Sequence, residues 1–125
     1  MSSLLKNKKI VVIDDSIVRG TTSVKIVRML RNAGASEIHF RVGCPPIIHS
    51  CFYGVSTPSR NRLLAAQKKV KEIQRMLEVD SLAYLSLEGL KQSLGDNKQS
   101  NHCYACFNGN YPENICRKIL PAPVN

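Results

Sequence analysis

One run near the amino terminus sets the architecture: Ile10-Val11-Val12-Ile13-Asp14-Asp15-Ser16-Ile17-Val18-Arg19-Gly20-Thr21-Thr22-Ser23. Four aliphatic residues lead directly into two carboxylates, and a hydroxyl-rich loop with a single glycine then opens a predicted helix. A continuous aliphatic run is typical of a buried parallel strand. Open α/β sheets bind ligands beyond the carboxyl ends of such strands. The run therefore predicts a parallel α/β fold with a ligand site directly after its first strand.

The loop after this strand carries groups suited to a phosphate. Thr21, Thr22 and Ser23 supply hydroxyls. Their backbone N–H groups fall in the first helical turn, where donors lack intrahelical partners. Gly20 has no Cβ and would let the backbone approach a phosphate closely. A strand followed by a helix capped by Thr21 or Thr22 would also account for these residues, but not for the paired acids.

The two carboxylates of Asp14 and Asp15 point to a different part of the same ligand. They would repel a phosphate, and they suit sugar hydroxyls, a developing positive charge, or Mg²⁺ carried by a diphosphate. The loop has no lysine of the G-x-x-x-x-G-K-[ST] type, and one glycine cannot form G-x-G-x-x-G. We therefore expect a ligand with both a phosphate and a hydroxylated or cationic part.

The run resembles the phosphoribosyl diphosphate (PRPP) motif of the type I phosphoribosyltransferases. The resemblance rests on the aliphatic run, the Asp-Asp pair and the short loop ending in Gly-Thr-Thr. It implies that Asp14 and Asp15 face the ribose hydroxyls and Mg²⁺. It also implies that the 5-phosphate lies against Ser16, Arg19, Gly20, Thr21, Thr22 and Ser23. For Arg19, an outward position in solvent is an equally good interpretation.

The remaining sequence predicts alternating helices and strands. A helix is expected over residues 22–33, ended by a left-handed Gly34, and strands over residues 9–14, 37–42 and 81–85. Thr57-Pro58 predicts a helix entry with Ser56 or Thr57 as cap. Apolar positions from 63 to 77 predict either two short helices or one kinked helix. A short helix is expected over residues 87–94, ended by Gly95, and a loop over residues 96–101.

Five cysteines point to a metal, a cluster or reactive thiols, because disulfides are rare in a cytoplasmic protein. Cys103 and Cys106 form C-x-x-C, a spacing that allows two thiolates to reach one metal centre. A redox pair and a zinc site completed by Cys51 and a histidine remain alternatives. Cys44 is expected to be a small buried hydrophobe and Cys116 an exposed free thiol.

The order of these motifs resembles the carboxyl-terminal part of the glutamine PRPP amidotransferases, in their iron–sulfur branch. It rests on the PRPP loop, Pro45-Pro46-Ile47-Ile48-His49-Ser50-Cys51-Phe52-Tyr53-Gly54, and Cys103-Tyr104-Ala105-Cys106-Phe107-Asn108-Gly109. The resemblance implies part of a doubly wound phosphoribosyltransferase domain over residues 8–95 and a cluster-binding, irregular tail over residues 96–125. It further implies a [4Fe–4S] cluster on Cys51, Cys103 and Cys106, with the fourth ligand upstream of this sequence.

The family reaction implied by the resemblance moves ammonia from glutamine to C1 of PRPP, giving 5-phosphoribosylamine and diphosphate in purine synthesis. The sequence shows neither a glutaminase domain with its nucleophilic cysteine nor the earlier part of the transferase fold. We therefore expect a fragment that is inactive alone and exposes an unpaired sheet edge. The complete protein is expected to form a homo-oligomer, or to receive its missing half from a second chain.

Composition limits the other functions. The chain has 125 residues and a net charge of +9, from 18 basic and 9 acidic residues. The basic residues are dispersed without an aromatic-basic motif, so we expect no nucleic-acid partner. No signal peptide or membrane span is evident, and a cytoplasmic location is expected. Two alternatives remain: a non-catalytic PRPP- or nucleotide-binding module, and a cysteine-rich metal-binding interaction protein.

Overall fold

The computed structural model describes residues 2–95 and 102–112. These residues form three strands and six α-helices, with one 3₁₀ turn at Arg60–Arg62. The strands are β1 (Lys9–Asp14), β2 (Glu37–Val42) and β3 (Ser81–Tyr84). The helices are α1 (Ser2–Leu5), α2 (Thr21–Asn32), α3 (Leu64–Gln67), α4 (Val70–Leu77), α5 (Leu87–Ser93) and α6 (Ala105–Asn108).

The three strands form one parallel sheet in the order β1-β2-β3. Lys9 pairs with Glu37 at one end of the β1–β2 ladder, and Asp14 pairs with Val42 at the other. The predicted bounds of β1 and β2 agree with the structure, and β3 ends one residue earlier than predicted. The carboxyl ends of all three strands therefore meet at one edge, and the α/β prediction is confirmed.

One face of the sheet is packed against helices α2 and α4. Ile38 and Phe40 from β2 are fully buried there, as are Val27 of α2 and Ile73 of α4. Burial of side chains of this size stabilises a fold by roughly 1.5–3 kcal/mol each. This packing fixes α2 relative to β1, and it therefore fixes the loop that connects them.

The opposite face of β1 is open to solvent. Its side chains alternate along the strand, so that Val11 is 60% exposed and Ile13 is 79% exposed. β1 also lies at the margin of the described sheet, with β2 as its only strand partner there. An apolar face beside an unpaired edge agrees with the expectation that this sheet is only part of a larger one.

The boundaries of α2 correct one interpretation. The helix begins at Thr21, one residue earlier than predicted, and no side chain caps it. Gly20 takes the cap position with a left-handed φ of 77°, so the assignment of Thr21 or Thr22 as a cap is wrong. Gly34 follows the helix with φ 94°, as predicted for a residue after a helix end.

The predicted helix entry at Thr57-Pro58 is wrong. The chain stays outside regular helix there, and the 3₁₀ turn and α3 come later. Thr57 Oγ1 accepts a hydrogen bond from the backbone N–H of Cys51 at 2.7 Å, so its oxygen closes the loop between these two residues instead of capping a helix. Lys68 and Lys69 are extended, which resolves the open alternative in favour of two separate helices, α3 and α4.

Helix α5 follows the prediction closely, whereas α6 (Ala105–Asn108) is a short helix inside the tail that was predicted to be irregular. Ser86 caps α5 by accepting a hydrogen bond from the Gly89 N–H at 3.0 Å, and Gly95 follows the helix with φ 74°. The expected loop over residues 96–101 lies outside the described residues, as do most of the predicted tail and Cys116. Within the described part of the chain, no helix has both the length and the apolar character needed to cross a membrane.

Candidate functional site

A cavity of about 410 Å³ opens where β1 ends and α2 begins. Its lining unites every predicted PRPP-site residue with two from another part of the chain: Asp14, Asp15, Ser16, Ile17, Val18, Arg19, Gly20, Thr21, Thr22, Ser23, Ser56 and Pro58. Arg19 lines this cavity and is exposed to solvent. The packing of β1 against α2 brings the two acids and the helix terminus to the same opening.

The carboxylates of Asp14 and Asp15 are held by short-range hydrogen bonds. Asp14 Oδ1 accepts from the Asp15 N–H at 3.0 Å, and Asp15 Oδ1 accepts from Ser16 Oγ at 3.2 Å. These bonds use one oxygen of each carboxylate. Among residues 2–95 and 102–112, the second oxygens of both groups have no protein hydrogen-bond partner. The acids are therefore oriented, and each retains an oxygen for a ligand.

The amino terminus of α2 places partial positive charge in the same cavity as the two negative carboxylates. The first backbone N–H groups of an α-helix lack intrahelical acceptors, and the helix dipole places partial positive charge there. Thr21 and Thr22 are exposed, whereas Ser23 is only 3% exposed. One end of the cavity therefore suits an anion, and the other carries two carboxylates.

Gly20 is favoured by its left-handed conformation, and its packing leaves little room for a Cβ. A Cβ at this position would lie 2.8 Å from Leu64 Cδ2 and 3.0 Å from Met76 Cε. Its φ of 77° is in the region that favours glycine. The sequence suggested only that a phosphate approaches Gly20, and the contacts with α3 and α4 add a second reason for glycine.

A second cavity of about 250 Å³ brings three cysteines together. Cys51, Cys103 and Cys106 all line it, with mainly apolar neighbours: Ile47, Tyr53, Val55, Thr57, Ala105 and Tyr111. Burial raises the pKa of the Cys106 thiol, and the nearby Cys103 and Cys51 raise it further. The three thiols are thus close enough to influence one another's charge, although Cys51 lies far from the C-x-x-C pair in sequence.

Helix α6 carries Cys106 and is tied to the segment before Cys51. The backbone N–H groups of Ile48 and His49 both donate to the Cys106 carbonyl, each at 3.0 Å. Gly109 ends α6 with φ 78°, and a Cβ there would lie 2.9 Å from His49 Nε2. Burial and the neighbouring Arg60 lower the pKa of His49. His49 therefore packs on the turn that follows α6.

Cys44 lies near the thiol cavity without lining it. It is partly buried and packs against the main core, close to its expected role as a small hydrophobe. Burial is the main cause that raises the pKa of Cys44 to about 11, and electrostatic interactions with Cys106, Asp15 and Asp14 raise it further. At neutral pH this thiol keeps its proton, and it is a poor nucleophile and metal ligand in that state.

Comparisons with known proteins agree with this geometry. No protein-family model matches the chain. It is 58% identical to amidophosphoribosyltransferase 2 of Arabidopsis thaliana over 87% of its length, and 56% identical to the soybean (Glycine max) amidophosphoribosyltransferase over 88%. The structure superposes on the glutamine PRPP amidotransferase of B. subtilis, complexed with ADP and GMP, with a TM-score of 0.81, 45% identity and 89% coverage of the chain.

The chain belongs to the amidophosphoribosyltransferase family. It spans 19% of the length of these two plant relatives and 25% of the B. subtilis chain. Its sheet is therefore part of the type I phosphoribosyltransferase fold, as the PRPP motif predicted. The archaeal amidophosphoribosyltransferase of Methanocaldococcus jannaschii is 47% identical over 96% of the chain, so the similarity extends across plants and archaea.

The two acids fit the magnesium expected of an amidophosphoribosyltransferase. Mg²⁺ prefers oxygen ligands and is usually held by one or two carboxylates together with substrate phosphates. Asp14 and Asp15 each keep an oxygen for such a role. Among the described residues, no group of three or more His, Cys, Asp or Glu side chains forms a complete metal site. Two carboxylates are a ligand number that suits Mg²⁺.

The thiol cavity fits an iron–sulfur cluster in its donors, but it is not a closed metal site. Cys51, Cys103 and Cys106 are the thiols that the family resemblance assigned to a cluster, and a cubane cluster takes four thiolates. Their shared apolar cavity supplies three, and the described side chains are not arranged in ready-made metal geometry. The donor set is compatible with the expected cluster at three of its four corners.

Sequence reasoning missed the second wall of the acid-containing cavity. Ser56 and Pro58 lie across it from the PRPP loop. They are brought there because the sheet places the chain leaving β2 next to the end of β1, where the Gly43 N–H donates to the Asp14 carbonyl at 2.8 Å. No periodicity in residues 43–59 marks this arrangement. Only the order of the strands would have indicated it.

Proposed function

We propose that the chain forms the phosphoribosyl-binding part of an amidophosphoribosyltransferase. The proposed reaction transfers glutamine-derived ammonia to C1 of PRPP and gives 5-phosphoribosylamine and diphosphate in de novo purine biosynthesis. The observation that carries the proposal is the single cavity that joins two oriented carboxylates to the amino terminus of α2. A phosphorylated sugar with a cationic reacting carbon needs both kinds of group.

The residues of this cavity would bind different parts of PRPP according to their charge. Ser16 and residues 19–23 would hold the 5-phosphate through hydroxyls, backbone N–H groups and the helix dipole. Asp14 and Asp15 would hold the ribose hydroxyls and the substrate's Mg²⁺. Their negative charge would also offset the positive charge that develops at C1 as diphosphate leaves. The Mg²⁺ would help to neutralise the departing diphosphate.

The cysteines would have a structural role in this function. A [4Fe–4S] cluster on Cys51, Cys103 and Cys106 would join the loop after β2 to α6 through metal–thiolate bonds. The transfer of ammonia to PRPP requires no electron, so we assign the cluster no redox step. Its fourth ligand would be upstream of these residues, as the family resemblance implies.

The complete reaction depends on more than the residues in this sequence. Ammonia would come from a glutaminase domain, supplied by the rest of the same polypeptide or by a partner chain. We propose a homo-oligomeric complete enzyme and a cytoplasmic location, as expected from the sequence. Plant relatives carry the description chloroplastic, and that location is a property of those proteins.

The experiment that tests this proposal measures the binding of PRPP with Mg²⁺ to the purified chain by titration calorimetry. Wild-type chain is compared with Asp14→Asn, Asp15→Asn and the control Glu88→Gln, an exposed acid on α5 that does not line the cavity. We expect Asp14→Asn and Asp15→Asn to weaken binding at least about tenfold, since each loses a charged contact. Equal binding by all four proteins contradicts the assignment of the acids.

A non-catalytic nucleotide- or PRPP-binding module is the second candidate. It is favoured by one observation, the description of the B. subtilis neighbour as a complex with ADP and GMP. A phosphate loop of this kind could hold the 5-phosphate of a nucleotide as well as that of PRPP. Tighter binding of AMP or GMP than of PRPP with Mg²⁺ by the purified chain would favour this candidate over the first.

A further inference from the structure

A single segment, residues 51–58, forms a wall between the two cavities. Alternate residues face opposite sides of it. The odd-numbered side chains line the thiol cavity, and two even-numbered ones line the cavity with the acids: Cys51, Tyr53, Val55 and Thr57 on the first side, Ser56 and Pro58 on the second. The same short stretch of backbone therefore contributes to both cavities.

The two ends of this wall are clamped together by side chains. The Cys51 N–H donates to Thr57 Oγ1 at 2.7 Å, and Ser50 Oγ donates to the Pro58 carbonyl at 2.9 Å. The wall is thus a loop closed at its base by two adjacent hydrogen bonds. Thr57 is the only residue of the wall whose side chain both lines the thiol cavity and holds the loop base, among the residues that the structure describes.

The base of the loop is also anchored to the C-x-x-C helix. Cys106 accepts the N–H groups of Ile48 and His49 through its carbonyl, and Tyr111 Oη donates to the Ser50 carbonyl at 2.6 Å. The residues that these bonds hold, Ile48, His49 and Ser50, directly precede Cys51 in the chain. A continuous series of contacts therefore leads from α6 through Thr57 to Ser56 and Pro58.

We propose that Thr57 is a positioning residue that sets the phosphoribosyl cavity by fixing its wall to the thiol cavity. This inference rests on the proposed function, because it assumes that PRPP occupies the cavity with the acids. Thr57 does not line that cavity itself. Its effect passes through the flanking Ser56 and Pro58, whose distance from the PRPP loop depends on the clamp at the loop base.

The test compares three variants of the purified chain. Thr57→Val keeps the shape of the side chain and removes the acceptor, whereas Thr57→Ser keeps the acceptor. Ser86→Ala removes a similar side-chain-to-backbone bond at α5, away from both cavities. The measurements are the dissociation constant for PRPP with Mg²⁺ and the alkylation rate of each cysteine by mass spectrometry. The second measurement distinguishes local release of the loop from general destabilisation.

We expect Thr57→Val to raise the dissociation constant about fivefold, the effect of one lost hydrogen bond. Alkylation of Cys51 should accelerate while that of Cys44 does not, and Thr57→Ser and Ser86→Ala should bind like wild type. If wild type binds PRPP but Thr57→Val binds within about twofold of it, the inference is wrong and the proposed function stands. Equal acceleration at Cys44 and Cys51 also overturns the inference. A wild-type chain that does not bind PRPP overturns both.

Discussion

Arg31 of α2 and Asp80, which precedes β3, form an ion pair with 2.6 Å between Arg31 Nη2 and Asp80 Oδ2. The same Asp80 oxygen accepts the backbone N–H of Ile38 in β2 at 2.7 Å. One carboxylate therefore joins the end of α2 to the start of two strands, at the edge of the sheet opposite the acid-containing cavity. It holds the helix whose other terminus lines that cavity.

Replacement of Asp80 by alanine should lower the free energy of unfolding by about 1 kcal/mol. The value is modest because the side chains of Arg31 and Asp80 are 31% and 38% exposed, so solvent screens the pair. Denaturant unfolding of wild type and Asp80→Ala measures the difference. Asp80→Asn serves as the control that keeps an oxygen for Ile38 and loses only the charge. If Asp80→Ala is as stable as wild type, the prediction is wrong.

The contribution of Asp80 should depend on pH. The Ile38 N–H, with the charge of Arg31, holds the pKa of Asp80 below its ordinary value of 3.8. A carboxyl with a lowered folded pKa stabilises the fold above its unfolded pKa, and the effect disappears as the pH falls through the folded pKa. The stability difference between wild type and Asp80→Ala should therefore be full at pH 6 and shrink below pH 4. An unchanged difference at pH 2.5 would disprove this assignment.

Substitution of Gly20 by alanine should destabilise the fold through two effects. The new Cβ would lie 2.8 Å from Leu64 Cδ2, and the left-handed φ of 77° adds about 1 kcal/mol of strain. Gly95→Ala is a matched control, because Gly95 has φ 74° but no atom within 4 Å of its Cβ position. Thermal unfolding should place Gly20→Ala below Gly95→Ala, and equal unfolding temperatures would exclude a role for the Leu64 contact.

The open face of β1 predicts self-association. Ile13 is 79% exposed and Val11 is 60% exposed, and apolar residues beside an open strand edge favour pairing with other chains. The double variant Val11→Thr, Ile13→Thr keeps β-branched side chains and should reduce association in light scattering without loss of stability. Ile38→Thr, at a fully buried position of β2, should instead unfold more easily. If the double variant associates as strongly as wild type, association arises elsewhere.

The elements that could be predicted from the sequence have local causes, and the contact that could not be predicted has a non-local one. β1 and β2 could be predicted because each has a local pattern: an aliphatic run in β1 and an alternation of polar and apolar residues in β2, with Gly34 before β2 and Pro45 after it. Thr57 could not be assigned, because its partner is a backbone N–H six residues away in a segment without periodicity. A threonine before proline fits a helix cap equally well until that partner is known.

The candidate site divides in the same way. The acids and the PRPP loop are contiguous in sequence, so the first wall of their cavity could be predicted from one run of residues. Ser56 and Pro58 reach it only through the parallel pairing of β1 with β2. No local sequence pattern relates Cys51 to the C-x-x-C pair, because they are far apart in the chain. Their proximity was therefore indicated only by the family resemblance.

The thiol cavity predicts which cysteines hold iron and sulfide. Anaerobic reconstitution of the purified chain, followed by iron and sulfide analysis, should give a cluster that is lost in Cys103→Ser and in Cys106→Ser. Cys44→Ala is the control, since Cys44 does not line the cavity and its raised pKa disfavours the thiolate. Retention of cluster by the two serine variants, or its loss only in Cys44→Ala, would move the site away from this cavity.

Binding of the 5-phosphate of a phosphoribosyl ligand is proposed for the loop between β1 and α2. Its most direct test follows the backbone amide resonances of the ¹⁵N-labelled chain during titration with ribose 5-phosphate, and separately with ribose. Saturable shifts are expected at Gly20, Thr21, Thr22 and Ser23 with ribose 5-phosphate, and none of similar size with ribose. Shifts confined to other parts of the chain, or equal shifts with both sugars, would contradict it.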